Sequence, residues 1–269
     1  MRSLQDCLFR DGASNMAVDS AILAAVAGGD QPPTLRLYGW DPFCLSLGYG
    51  QRSRDVDFDA LASRGWDLVR RPTGGKAILH GDELTYSLSL PLDHPLAGDD
   101  IVESYRLISA GLLRALEILG LAADAPHQGE RGQRADPGPV CFEMPSHYEI
   151  SVGGRKLIGS AQLRRRGALL QHGALPLVGD LARICDVLHF ASEASRALRK
   201  QNLRDRALTL AEAAGKPLTW SAAASAIEQG FAGAFDLEVK PGQLSPAESN
   251  QVEQLLAERF RNPAWTHKR

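Results

Sequence analysis

The 269-residue sequence has little cysteine, and its cysteines are far apart. The four are Cys7, Cys44, Cys141 and Cys185, and no two form a C-x-x-C pair. This spacing excludes a dithiol redox motif and is too sparse for a disulfide framework in a chain of this length, so we expect free thiols. The seven histidines include no H-E-x-x-H motif. We therefore expect no metal site.

Long apolar runs and a strong net charge are also missing. No stretch approaches the roughly 20 apolar residues that span a bilayer, and the first residues lack the basic head and apolar core of a signal peptide. A formal net charge of −2 gives no broad nucleic-acid or membrane footprint. Neither a Walker A loop nor a G-x-G-x-x-G motif occurs. We expect a cytoplasmic protein that binds neither nucleic acid nor membrane and needs no cofactor.

Hydrophobic periodicity predicts two helices in the first half of the chain. Residues 14–29 place Val18, Ile22 and Val26 at four-residue steps, with Ser14 or Asn15 as the N-cap. From about residue 101 to residue 120, apolar residues recur at three- and four-residue steps, which is typical of a long amphipathic helix.

Period-2 alternation predicts strands. The runs TLRLYGW and CLSLGY are short strands that could pair with each other, and LTYSLSLP has the pattern of a half-buried strand. Residues 124–139 are polar and rich in Gly and Pro, which favours a surface loop. Residues 140–178 then read as three antiparallel strands, the first two joined at Gly153-Gly154. Helices dominate afterwards, and Ser245 to Glu248 form a capping box.

Together these elements predict an α+β fold with mixed, largely antiparallel sheets flanked by helices, and a small helical C-terminal part. A soft composition change near residue 200 suggests a large domain at 1–200, which would carry the site, and a small helix-rich subdomain at 201–269 packed on it.

Two runs carry glycines beside basic residues. RRPTGGKAILH, from Arg70 to His80, would let backbone amides and cations approach an anionic or carbonyl group, although a Gly-Gly pair is more often a plain turn. GRKLIGSAQ places Lys156 on a strand between glycines, where a lone lysine is usually solvated. Neither run decides a function alone.

Cys141 follows the polar loop and precedes a strand, a position where a thiol can face a cleft. A cysteine is more often buried and inert, and reactivity needs nearby positive charge to lower the thiol pKa. Lys156 and the run from Arg70 to Lys76 could supply that charge.

The three blocks RRPTGGKAILH, CFEMPSHYEI and GGRKLIGSAQLRRRGALLQHGALPL, with the tail NPAWT, resemble the lipoate-protein ligase and octanoyltransferase superfamily, which includes biotin protein ligase. The likeness covers nearly the whole chain. It is closest to the cysteine-dependent octanoyltransferases of Gram-positive type. The fold implied is therefore that of a biotin or lipoate protein ligase catalytic domain.

The resemblance implies an octanoyltransferase in lipoate biosynthesis. Cys141 would take octanoyl from octanoyl-acyl carrier protein as a thioester, and a lysine of a lipoyl domain protein, such as glycine cleavage H protein or a 2-oxoacid dehydrogenase subunit, would then accept it. Lys156 would be the second catalytic residue, and the enzyme would be a monomer. The blocks also imply a substrate-binding set: Arg70, Arg71, Thr73, Gly74, Gly75, Lys76, His80, Gly159, Ser160, Ala161, Gln162 and His172.

The sequence departs from the family at two places. Many relatives have a third glycine where this chain has Lys76, and an Asp directly after the histidine where this chain has Gly81. Backbone amides near Gly74, Gly75 or Cys141 are candidates for the oxyanion donors.

Three rival functions stay open at this stage. They are an ATP-dependent lipoate-protein ligase, an amidotransferase that moves octanoyl between lipoyl proteins, and a non-catalytic protein that binds lipoyl domains.

Two further groups of residues each have two possible interpretations. Tyr86, Leu88 and Leu79 could line an acyl slot or an ordinary core. Arg164–Arg166 could meet an acidic carrier protein or form a solvated turn.

Overall fold

The computed structural model describes residues 1–125 and 149–268. Ten strands occur in this part of the chain: β1 (Arg2–Arg10), β2 (Thr34–Trp40), β3 (Cys44–Leu47), β4 (Asp67–Arg70), β5 (Ile78–His80), β6 (Glu83–Pro91), β7 (Ile150–Val152), β8 (Arg155–Arg165), β9 (Ala168–Pro176) and β10 (Lys240–Pro241). The same part contains eight α-helices: α1 (Gly12–Ala27), α2 (Phe58–Ser63), α3 (Ile101–Ile118), α4 (Glu193–Arg206), α5 (Leu210–Ala214), α6 (Trp220–Phe235), α7 (Pro246–Leu255) and α8 (Pro263–Thr266).

The strands form two sheets. The large sheet has the order β10-β1-β2-β6-β9-β8-β7, and the small one has the order β4-β3-β5. Pairs along the large sheet from β2 to β7 are antiparallel, whereas β1 runs parallel to both of its neighbours. The predicted α+β class with mixed, largely antiparallel sheets is confirmed.

Helices cover both faces of the large sheet. On one face, leucines of β2 and β6 pack with Ile108 of α3 and Phe231 of α6. On the other, Tyr38 and Trp40 pack with α1 and α7. A third core joins the small sheet to a 3-10 helix at Leu181–Val187. Among the described residues, no helix is long and apolar enough to cross a membrane.

The helix predicted at 14–29 is present as α1, shifted toward the N-terminus. Asp11, not Ser14 or Asn15, is the N-cap, and its Oδ1 accepts the backbone N–H of Ser14 at 2.6 Å. Gly28 ends the helix, and Val18, Ile22 and Val26 are buried as predicted.

Two predictions about strands were wrong. β2 and β3 do not pair, because β1 and β6 already occupy both edges of β2 and β3 belongs to the small sheet. β6 is not half-buried, since both of its faces are covered. Hydroxyls on its second face are satisfied there: Ser87 donates to the Asp19 carboxylate, and Thr85 accepts from the indole N–H of Trp40.

The antiparallel strands after residue 149 agree with the sequence. β7 and β8 form the predicted hairpin, and Gly153 and Gly154 have φ values of 57° and 75°, a region that favours glycine. β9 then pairs with β8 through a turn at Arg166 and Gly167. The polar loop predicted at 124–139 lies mostly outside the described residues.

The C-terminal part packs back on the N-terminal part. β10 pairs with the start of β1, and α6 lies against α3 in the large core. The capping box at Ser245 and Glu248 is present at the start of α7. The domain boundary predicted near residue 200 falls inside α4, and the division itself stays a prediction.

Candidate functional site

A narrow cleft lies beside α1, between β8 and β9 on one side and β2, β3 and β5 on the other. Its wall is mostly apolar, with a few polar groups. The lining residues are Met16, Tyr38, Trp40, Ser46, Arg71, Ile78, His80, Thr85, Gly159, Ser160, Ala161, His172, Gly173 and Ala174. Six members of the predicted substrate-binding set are among them.

His80 is held in the wall through both of its ring nitrogens. Its Nε2 lies 2.7 Å from Ser46 Oγ, which also accepts an N–H of Arg71 at 3.1 Å. Its Nδ1 lies 2.6 Å from Glu83 Oε1. The Trp40 ring stacks on the imidazole, with centroids 3.9 Å apart. His80 is thus fixed on three sides.

His172 is the second histidine in the wall. Its Nε2 lies 2.7 Å from Thr73 Oγ1, and its Nδ1 lies 3.4 Å from the buried carboxylate of Asp19. Burial lowers the pKa of His172, and the positive charge of Arg71 lowers it further, against the raising effect of Asp19. His172 is therefore neutral at neutral pH. Its contact with Thr73 connects the loop from Thr73 to Lys76 (the glycine loop) to the wall of the cleft.

Asp19 organises this side of the sheet. It is fully buried and accepts hydrogen bonds from Arg36 at 2.7 Å, Tyr38 at 2.8 Å and Ser87 at 2.8 Å. Burial raises the pKa of Asp19, but the Arg36 charge and the hydrogen bonds outweigh it, and the net pKa is lowered. A buried carboxylate that stays ionised in this way needs its cation close by.

Arg71 shapes the glycine loop from within. Its guanidinium donates to the carbonyls of Ser46, Gly74 and Lys76, at 3.1, 2.8 and 2.7 Å. Gly48 packs so closely under the loop that an added Cβ would lie 2.0 Å from the Gly75 carbonyl oxygen. The loop is therefore held by backbone contacts, with Thr73, Gly74, Gly75 and Lys76 along it.

Arg70 has a different place from that predicted. It is buried, does not line the cleft, and donates to six carbonyl oxygens: those of Gly48, Tyr49, Gln51, Trp265, Thr266 and Lys268. The first three belong to the loop after β3 and the last three to the C-terminal segment. We assign Arg70 the structural role of tying these two segments together.

The block around Gly159 serves both faces of the sheet. Gly159 and Ala161 line the cleft with Ser160. Ser160 also meets the hydroxyl of Tyr86 at 2.7 Å, and Gln162 meets Gln171 at 3.0 Å, on the side that faces α3. Burial raises the pKa of Tyr86 to about 12, so its hydroxyl stays protonated.

The acyl slot proposed from Tyr86, Leu88 and Leu79 was wrong. Tyr86 and Leu88 belong to the core under α3 and α6, and Leu79 packs against the core of the small sheet. The alternation of β6 points these two side chains away from the cleft, so their core alternative is the one observed.

Lys156 is buried and paired with a carboxylate. It is 5% exposed, and its ammonium donates to Glu149, which is 7% exposed. A register shift lies in the β7–β8 pairing between Ile150 and Ser151. Cys141, the other predicted catalytic residue, lies outside the described residues.

Several residues of this site were missed by sequence reasoning. Glu149 lies in the segment CFEMPSHYEI, where no local pattern marks it as buried. Arg36 and Asp19 each interrupt an apolar pattern, one inside the strand TLRLYGW and one on α1, and such an interruption is the available signal. Trp40 and Ser46 carried no local signal, because only the sheet topology brings them beside His80.

Comparison with known proteins shows which family shares this architecture. A family model described as the lipoyl protein ligase A/B catalytic domain matches residues 11–232. Octanoyltransferase LipM of Kyrpidia tusciae is 42% identical over 261 residues, covering 96% of this chain and 95% of the relative. Octanoyltransferase LipM of Staphylococcus aureus is 37% identical, covering 95% and 94%.

Solved structures agree in fold. The bi-partite lipoate protein ligase of Thermoplasma acidophilum superposes with a TM-score of 0.82 at 24% identity, covering 99% of this chain and 95% of that one. A lipoate-protein ligase A with bound ATP gives a TM-score of 0.78 at 24% identity, covering 99% of each. The resemblance carried by the three sequence blocks is confirmed: the chain belongs to the lipoyl protein ligase A/B catalytic domain family.

Proposed function

We propose that this protein is an octanoyltransferase of lipoate biosynthesis that moves octanoyl from an acyl carrier protein to a lipoyl domain lysine, through a thioester on Cys141. Relatives named octanoyltransferase LipM, 36–42% identical over nearly the full chain, are the observation that carries the proposal. The acceptors proposed are glycine cleavage H protein and 2-oxoacid dehydrogenase subunits. The protein would act as a monomer in the cytoplasm.

The reaction proposed has two acyl transfers. The Cys141 thiolate attacks the donor thioester, an octanoyl-Cys141 bond forms as the bond to the carrier sulfur breaks, and the carrier leaves as a thiolate that takes up the proton Cys141 had given up. The acceptor lysine amine then attacks octanoyl-Cys141, an amide forms, and the Cys141 thiolate is released as the amine loses its proton. Both steps exchange one acyl bond for another, so no ATP is needed.

Lys156 supports both steps through its charge. An ammonium near Cys141 would lower the pKa of the thiol and stabilise the negative oxygen that develops during each attack. Glu149 fits this role as the residue that holds the Lys156 ammonium in place. Amides of Gly74 and Gly75 are the other candidate donors to that oxygen.

The cleft is the proposed place of the acyl chain. Its wall is mostly apolar, which matches a saturated hydrocarbon chain. An added Cβ on Gly173 would lie 2.6 Å from both Ser160 Oγ and Tyr86 Cε1, so this glycine lets β9 pack closely against these two residues behind the wall. Arg71, His80 and His172 are the polar groups proposed to contact the substrate.

Transfer from octanoyl carrier protein to an apo lipoyl domain, without ATP, tests the proposal. Wild-type protein should octanoylate the domain, and Cys141→Ala should not, while its circular dichroism and melting temperature stay unchanged. Cys7→Ala is the matched control, because Cys7 is an exposed free cysteine outside the cleft. Full activity in Cys141→Ala would refute the nucleophile assignment.

Donor choice separates the rivals. An ATP-dependent ligase would work with free lipoate and ATP after Cys141 is removed, and an amidotransferase would prefer an octanoylated lipoyl protein as donor. A protein that only binds lipoyl domains would retain affinity for them but would form no acyl-enzyme with any donor.

A further inference from the structure

Trp265, in the C-terminal segment, lies between two cations. The Arg259 guanidinium carbon is 3.6 Å from the centre of its ring, and the Lys268 ammonium is 3.5 Å from the same centre. Two cations this close to one centre must occupy opposite faces, since on one face they would collide. Lys268 also lies 3.7 Å above the ring of Tyr49. Cation–π contacts thus fix both cations in place.

Arg259 has no anion to balance it in the described part of the chain. It forms no ion pair there, and its buried Nε has no hydrogen-bond partner. Burial lowers the pKa of Arg259, and the nearby charge of Arg165 lowers it further. A partly buried cation that lacks a counter-charge is electrostatically unfavourable, and a bound anion would relieve this.

Arg165 has the exposure such a site requires. It stands at the exposed end of β8, whose Gly159 and Ala161 line the cleft. Its neighbour Arg164 is engaged elsewhere, donating to the carbonyls of Ala97, Gly98 and Asp100 near the start of α3. Of the two, Arg165 is therefore the one left to meet a ligand.

Arg259 and Lys268, with the rings of Trp265 and Tyr49, form a cation cluster that adjoins the wall of the cleft. The Tyr49 backbone N–H donates to the Thr73 carbonyl at 2.8 Å, and Thr73 Oγ1 contacts His172, which lines the cleft, at 2.7 Å. The Trp265 indole N–H donates to the Arg70 carbonyl at 2.9 Å. A ligand with its reactive end in the cleft could thus place an anionic group on this cluster.

We propose that Arg259, held by its stacking on Trp265, forms a phosphate-binding subsite beside the cleft that receives the phosphodiester of a pantetheine-type acyl donor, with the exposed Arg165 as a further cation available to the same group. The inference rests on the proposed function, since it concerns the donor of that reaction. Arg guanidinium is suited to phosphate because its N–H groups match two phosphate oxygens. The subsite holds the donor by its arm and takes no part in the chemistry.

Small thioesters that differ only in the phosphate test the subsite. Octanoyl-phosphopantetheine and octanoyl-pantetheine are compared as donors for wild type, Arg259→Gln and Arg261→Gln. We expect wild type to have a KM about tenfold lower for the phosphorylated donor, as one charge-assisted contact would give. Arg259→Gln should remove that preference by raising this KM alone, with kcat unchanged.

Arg261→Gln is the matched control. It removes the same charge two positions away, but its guanidinium is turned to Asp11, at 3.3 Å. It should keep the wild-type preference. Equal increases of both donor KM values in Arg259→Gln would overturn the subsite, as would an increase in the KM for the lipoyl acceptor alone. Unchanged KM values would overturn it too.

Two further donors show which molecule supplies the phosphate. Octanoyl carrier protein and octanoyl-coenzyme A both present a phosphate on pantetheine, and a KM increase with either in Arg259→Gln supports the subsite and names its source. An increase with neither contradicts it. Calorimetric titration with phosphopantetheine and pantetheine tests the subsite even if no transfer occurs, because binding needs no turnover. Equal affinity for the two compounds would refute the phosphate contact.

Discussion

The buried pair of Lys156 and Glu149 should be strongly coupled in folding. Both residues are nearly inaccessible, at 5% and 7% exposed, so removal of either takes the opposite charge away from the other in a dry environment. Loss of one partner of such a pair typically costs about 3–5 kcal/mol. We expect Glu149→Leu and Lys156→Met each to lower the free energy of unfolding by about 3 kcal/mol, which for a chain of this size is roughly 6–12 °C in melting temperature.

The double variant separates coupling from ordinary packing loss. With both charges replaced by apolar groups of similar volume, no unpaired charge remains, so the double variant should be more stable than the sum of the two single losses by about 3 kcal/mol. Urea unfolding at pH 7 of the wild type, both single variants and the double variant measures this. Losses that add to within about 0.5 kcal/mol would show that the two groups do not depend on each other.

Three further perturbations probe the cleft and its supports. Arg70→Lys loses the guanidinium fork to the C-terminal segment, so it should destabilise the protein by about 2 kcal/mol and speed tryptic cleavage there; wild-type resistance would argue against the tie. Gly173→Ala places a methyl group 2.6 Å from Ser160 Oγ and from Tyr86 Cε1, so it should lower the free energy of unfolding by about 1–3 kcal/mol, and an unchanged melting temperature would show that these neighbours can move aside. Because burial lowers the pKa of His172, the unfolded chain binds this proton first as pH falls below about 6.5, and stability is lost there. His172→Gln should flatten the dependence of unfolding free energy on pH between about 7 and 5, and an unchanged slope would contradict this.

Local patterns predicted the elements whose signals are local. The long helix α3 and the hairpin at Gly153-Gly154 follow from apolar spacing and turn residues within one short segment. The capping box at Ser245 is equally local. These signals need no knowledge of the rest of the chain.

Pairing between distant segments was beyond such patterns. β10 joins β1 across more than 200 residues, with Arg2 opposite Lys240, and neither short segment has an alternating pattern that reveals this. The sequence alone predicts a solvated polar face for β6. The face is buried by α1 and by Trp40 of β2, which are distant from β6 in the sequence. Tertiary contacts decide both cases.

The sequence predicted some residues of the site and missed others. Sequence blocks identified the loop around Arg71 and the strand around Gly159, which do meet at one cleft. They could not separate Arg70, which binds backbone carbonyls, from Arg71, since the two are neighbours of one type. They also missed Asp19 and Glu149. A buried carboxylate is recognised by the cation that pairs with it, and these cations, Arg36 and Lys156, are not adjacent to it in the sequence.

The most direct test of the proposed mechanism is mass spectrometry of the protein after brief incubation with octanoyl carrier protein, followed by peptide mapping. A single octanoyl group on Cys141, lost when an apo lipoyl domain is added and greatly reduced in Lys156→Met, is the predicted result. No adduct, or an adduct on another residue that still passes to the lipoyl domain, would contradict the thioester mechanism.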